Sequence, residues 1–209
     1  MKRKIPCFCD NTFEVEVAEE IDLDNNKNYL DEIENGSFLN FACPSCGKNL
    51  KPEFPISILW PSQNLRLEVL PELDRGEFYR RKKESEAKSP YPTETIIGYP
   101  ELVDRLAVIR DGFDPVAVEA IKYLLQLKAE EQYPDEELDI WYFAATGEEL
   151  EFHIHGIKQS EIAVMKIPIS LYEKTLDDYK INPKKEIFTI LRVRSYLSVK
   201  NTMRHEALK

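Results

Sequence analysis

Beyond residue 46 the chain has no cysteine, so no disulfide framework can span the fold. Glycine is scarce as well, with seven residues in 209. No Walker-type loop, dinucleotide glycine fingerprint or G-x-S-x-G turn is present, which leaves little material for a phosphate cradle or a nucleophile elbow. No apolar run approaches the roughly 20 residues of a membrane-spanning helix. The first seven residues, MKRKIPC, start basic but lack the apolar core of a signal peptide. Positive charge is also short: 28 Lys and Arg against 38 Asp and Glu leave a net charge of −10. That balance lacks the basic footprint a general nucleic-acid binder needs, and it disfavours adsorption to anionic membranes. The expectation is a cytoplasmic protein whose partner is another protein.

What is present suffices for a packed core. Hydrophobic residues make up 43% of the chain, with ten Phe and ten Tyr, which excludes wholesale disorder. Phe13, Val15 and Val17 alternate with Glu14 and Glu16, predicting a strand after a knuckle at residue 7. A short helix is predicted over 27–35, capped by Asn25 or Asn26 and ended by Gly36. Strands are predicted over 54–60 and 65–70, with turn chemistry at 61–64. Residues 80–92 are charged, punctuated by proline and poor in large aliphatics. They suggest domains of 1–79 and 98–209 joined by a linker of 80–97.

Past that stretch a helix over 100–111 turns inward Leu102, Leu106 and Ile109. Asp114 as N-cap and Pro115 at the first helical position open a second helix to about residue 130. Val118, Ile121, Leu124 and Leu125 form its wide apolar face, so the two helices are expected to make a hairpin packed on something else. Three strands follow at 138–145, 149–155 and 161–167. Ser170 and Glu173 have capping-box spacing at the start of another helix, which Asn182-Pro183 stops, and 187–193 reads as a final strand. The fold class is α+β. It comprises an N-terminal antiparallel sheet with a short inserted helix, then the helical hairpin and an antiparallel meander with a further helix.

The cysteines carry the strongest chemical signal. Cys7-Phe8-Cys9 and Cys43-Pro44-Ser45-Cys46-Gly47 together offer four thiolates, the number a closed tetrahedral zinc site needs. In the second pair, proline and glycine shape a tight knuckle whose backbone N–H groups can point at the sulfurs. The first pair is C-x-C, so its backbone must bend to bring both sulfurs onto one ion. Clustered thiols in a reducing compartment favour metal over disulfides. Structural Zn2+ on Cys7, Cys9, Cys43 and Cys46 is therefore expected.

With Gly36-Ser37-Phe38-Leu39-Asn40-Phe41-Ala42 before the second knuckle and Pro6 before the first, the chain resembles the CpXC domain proteins. The likeness is clear over about residues 5 to 60. It implies a zinc-ribbon-like domain whose four cysteines map onto Cys7, Cys9, Cys43 and Cys46, with one residue fewer between Cys7 and Cys9 than in the family motif. A C-x-C followed about thirty residues later by C-x-x-C also resembles the zinc redox switch of a heat-shock chaperone, in spacing alone.

His153 and His155 share one face of a predicted strand whose other face is Leu150, Phe152 and Ile154. With Glu149 and Glu151 they read as a polar exterior rather than ligands. His205 stands apart. The acidic residues 130–139 lack the Asp/Asn and glycine pattern of a calcium loop. Lys184, Lys185, Arg192, Arg194, Lys200 and Arg204 form a basic segment that reads as a solvated face, as pairing with the protein's own acids or as contact with an anionic partner. No catalytic constellation is present. The leading expectation is a binding or scaffold protein with a structural zinc site. The alternative is a redox-sensitive zinc-thiolate switch or chaperone-like protein.

Overall fold

A computed structural model describes residues 1–81, 89–158 and 161–202. They divide into two compact units, Met1–Val103 and Asp104–Lys209. Part of the expected linker lies outside the described residues. Another part, Thr93–Ile97, is a sheet strand of the first unit.

The first unit opens with a hairpin of β1 (Lys2–Pro6) and β2 (Thr12–Glu16), which pairs Ile5 with Phe13. Then come β3 (Glu20–Asp22), α1 (Asn28–Glu34) and the small hairpin of β4 (Phe41–Ala42) with β5 (Asn49–Leu50). The asparagine cap expected for α1 is not made: Lys27 is its N-cap, and the Asn25 side chain bonds to the Asp22 carboxylate instead. Strands β6 (Ile56–Trp60), β7 (Leu65–Leu70) and, after α2 (Arg75–Arg80), β8 (Thr93–Ile97) complete the unit's main sheet in the order β3-β6-β7-β8. β3 runs parallel to β6 and β8 parallel to β7, while β6 and β7 are antiparallel. Ile21, Ile58, Leu67, Val69 and Ile96 are buried along it. The unit boundary falls inside α3 (Tyr99–Arg110).

The second unit is built on α4 (Pro115–Gln132). Asp114 caps it as expected, its carboxylate accepting from the N–H groups of Val116 and Ala117. β9 (Asp139–Thr146), β10 (Glu149–Lys158) and β11 (Glu161–Pro168) form an antiparallel meander in the order β11-β10-β9. One face of it buries Ile140, Tyr142, Leu150, Phe152 and Ile154 against Ala107, Val108, Val118, Ile121 and Leu125. Leu124, expected inward, is exposed.

α5 (Ile169–Ile181) starts at the proline that ends β11 and shows no side-chain cap, so the Ser170–Glu173 capping box is not formed. Residues 187–193 are not one strand. They enter α6 (Glu186–Thr189) and end in β12 (Arg192–Val193), which pairs with β13 (Tyr196–Leu197). The helix wins there because Phe188 and Leu191, three residues apart, both bury against Val116 and Ala120 of α4.

Candidate metal centre

The two short hairpins of the first unit end in two loops, and each loop carries one cysteine pair. At the first, the Cys7 N–H bonds to the Asn11 carbonyl at 2.8 Å, and the Asp10 N–H to the Cys7 carbonyl at 3.0 Å. At the second, the Cys43 N–H bonds to the Lys48 carbonyl at 2.9 Å, and the Gly47 N–H to the Cys43 carbonyl at 2.8 Å. Each pair is followed by one left-handed residue, Asp10 at φ 64° and Gly47 at φ 70°. The first turn therefore closes over three residues and the second over four. This absorbs the residue missing from C-x-C and still turns both sulfurs of each pair to one point.

At that point the four sulfurs lie within 4.8 Å of one another. The closest approaches run across the knuckles: Cys7 Sγ to Cys46 Sγ at 3.6 Å and Cys9 Sγ to Cys43 Sγ at 3.7 Å. Cys7 and Cys43 are buried among Ile5 and Leu50, with Phe13, Val15, Phe41 and Phe54 around them. Cys9 and Cys46 are exposed. This arrangement could hold a metal ion, and it is the cluster of metal-ligating groups found among the described residues.

The thiols are electrostatically unequal. Burial pushes Cys43 up, but the N–H groups of Cys46 and Ser45 and the Asn11 amide outweigh it and leave the thiol at about 6. The Asn11 N–H lowers Cys9. The Cys9 N–H would lower Cys7 too, yet burial and three neighbouring sulfurs push it to about 12. Four thiols this close cannot all ionise without a cation among them, whereas a bound metal removes that conflict.

The histidines are placed apart from this centre. His153 Nε2 lies 3.0 Å from a Glu151 carboxylate oxygen, and its ring stacks on Phe143 at 4.1 Å between centroids. His155 is exposed on the same strand. Neither belongs to a cluster of three or more potential ligands among the described residues. His205 and Arg204 lie outside those residues. Two of the basic residues meet the protein's own acids: Lys185 with Asp178 at 2.5 Å and Lys200 with Asp139 at 3.3 Å.

One constellation escaped sequence reading. In the second unit, Asp104, Arg105, Glu119 and Lys122 are all buried. Lys122 Nζ donates to the Asp104 carboxylate and, at 2.8 Å, to Glu119. Arg105 lies 3.5 Å from Glu119 and donates to the Leu197 carbonyl at 2.9 Å. The remaining carboxylate oxygens accept the N–H groups of Tyr142 and Val199, each at 2.6 Å. Burial alone would raise Glu119, but Lys122 and Arg105 hold it below the ordinary range. The available signal was weak: Glu119 and Lys122 stand three apart on a helix whose neighbouring positions are apolar.

Comparison with known proteins follows the same line. The model of the CpXC protein family matches residues 5–122, past the two cysteine-bearing hairpins, through α3 and into α4. A protein of Treponema pallidum (strain Nichols), described only as uncharacterised, is 27% identical over 214 residues, covering 95% of this chain and 97% of its own. No solved structure matches. With more than half of its length matched by the family's model and the four cysteines gathered at one point, this chain belongs to the CpXC protein family.

Proposed function

We propose that Cys7, Cys9, Cys43 and Cys46 hold one structural zinc ion, and that the protein is a non-catalytic, cytoplasmic binding or scaffold protein whose partner is another protein. The observation that carries the metal reading is the spacing of the sulfurs. A Zn–S bond of about 2.3 Å places tetrahedral ligands about 3.8 Å apart, and the cross-knuckle separations are 3.6 and 3.7 Å. An all-thiolate set leaves no open coordination position, which supports a folding role over Lewis-acid chemistry. One feature favours a binding role: Phe8 at the tip of the first knuckle is 83% exposed under the Lys48 ammonium. Free thiols in this number suit a reducing compartment. No helix among the described residues is long and apolar enough to cross a membrane.

The test is zinc per chain on freshly purified, reduced protein, repeated after mild peroxide. One zinc retained in both samples is the expected result, and no zinc in the reduced sample overturns the reading.

A second reading is favoured by one observation. Each exposed cysteine faces a buried one at a distance from which a disulfide can close with small movement. Two thiolates, one peroxide and two protons would give one S–S bond and two waters, releasing the metal. Zinc loss at low peroxide, with Cys7–Cys46 and Cys9–Cys43 bonds found by mass spectrometry, would put this redox-switch reading first.

A further inference from the structure

Between β2, α1 and β6 the first unit has an open cleft with a cavity volume of about 250 Å³. Tyr29, Phe38 and Phe41 line it together with the carboxyl-bearing side chains of Glu16 and Glu32. Ile21 and Ile56 are its buried apolar part, and Ser37 and Asn40 its exposed polar part. No Lys, Arg or His is among the lining residues. Lys2 stands opposite Glu16 across the β1–β2 register, yet among the described residues neither Glu16 nor Glu32 is held in an ion pair.

Three properties of this site point to one chemistry. Tyr29 and Phe38 meet edge to face, with centroids 6.1 Å apart at 86°, and Phe38 is buried, so it is the half-buried rings of Tyr29 and Phe41 that leave aromatic surface in the lining with Glu16 and Glu32. Aromatic faces combined with carboxylates attract an organic cation more strongly than either alone. Leu39, also lining the cavity, has φ 51°. That conformation is uncommon for a residue with a Cβ, and such backbones concentrate at binding sites.

We infer that this cavity binds an ammonium group carried on an aliphatic stem. The source is either a free alkylamine or the lysine side chain of a partner polypeptide. The assignment names what a partner of the binding protein proposed above would present, and so rests on that reading. The cavity also touches the metal ribbon in sequence: Glu16 ends β2 and Phe41 lies two residues before Cys43. Chelating the metal should therefore weaken binding here.

The test uses the full, zinc-loaded chain, its metal content checked first. It is titrated by NMR with n-hexylammonium, with Nα-acetyl-lysine methylamide and with 1-hexanol as the neutral control. Saturable shifts at Tyr29, Phe38 and Phe41 are expected with an ammonium probe, and 1-hexanol should bind about tenfold more weakly. Glu32→Gln should weaken ammonium binding about tenfold while amide dispersion and zinc content stay unchanged. Response to the lysine derivative assigns a polypeptide source, and response to hexylammonium alone assigns a free amine. Equal binding of hexanol, or no loss in the Glu16→Gln/Glu32→Gln double variant, overturns the inference. A protein without zinc defeats the preceding reading. A zinc-loaded protein that ignores both ammonium probes defeats only this one.

Discussion

Three residues of different kinds show how much can depend on a single side chain. Cys43 is both a core residue, 2% exposed, and a candidate ligand. Structural zinc contributes about 10–16 kcal/mol in finger peptides, comparable to the whole stability of a domain. If the proposed zinc is held there, Cys43→Ser is expected to lose it and unfold the cysteine-bearing hairpins, read as zinc per chain and as loss of dispersed amide signals from residues 1–60. Gly156 acts through backbone. It sits at φ 100° in the β10 bulge, where an added Cβ would come within 2.1 Å of the Glu137 carbonyl oxygen. Gly156→Ala should cost about 3 kcal/mol or more, and a denaturation midpoint close to that of the parent would refute the steric argument.

Asp111 acts through charge. Burial pushes it up, but the Arg110 guanidinium and the Tyr142 hydroxyl, 2.7 Å away, bring it below the ordinary range. A carboxyl lowered by folding stabilises the native state above its unfolded value, about 3.9, and that stability disappears as pH falls through the folded value. Asp111→Asn should cost about 1 kcal/mol at pH 7. The gap between variant and parent should close below about pH 4.

Among the elements, the α3–α4 hairpin shows most clearly what periodicity conveys and what it hides. Asp114-Pro115 announces the start of α4 because a cap involves only neighbours along the chain. The apolar face was legible for the same reason, apart from Leu124, which the tertiary packing leaves outside. The buried charges on that hairpin were not legible, since a Glu and a Lys three apart on a helix usually face water. Their meaning depends on Asp104 and Arg105 arriving from α3, and on N–H donors from β9 and from residue 199. Lys122→Met leaves two buried carboxylates facing each other and should cost about 3–5 kcal/mol. Combining it with Asp104→Asn should cost less than the sum by about 1–3 kcal/mol, as a double-mutant cycle in urea would measure. The 187–193 segment makes a similar point. Its β-branched and aromatic content suggests a strand, but the burial of Phe188 and Leu191 on α4 selects one helical turn.

For the molecule as a whole, the prediction concerns how far the contribution of the proposed zinc reaches. The core around Cys7 and Cys43 is small, with Ile5 and Leu50 as its other buried members. The core of the second unit is an extended cluster around Phe152 and Ile121 that contains no cysteine. Hydrogen exchange after chelation of the proposed zinc is thus expected to lose protection in the two cysteine-bearing hairpins and keep it in β9 and β10. Simultaneous loss in both would make the chain one cooperative unit.

The sequence by itself determined the four cysteines as candidate ligands, their grouping in pairs, the α+β class, the helical hairpin and the three-strand meander. Each of these rests on residue type or on spacing within a short window, where the backbone sets the geometry. Only the tertiary structure decided which cysteine is buried and which exposed, which sulfurs face each other across the knuckles, and how a shorter first turn still reaches the common point. It alone brought four charges together inside the second unit and set three aromatic rings beside two carboxylates in the first. These features arise from residues far apart in the chain, and their contacts exist only after the elements have packed.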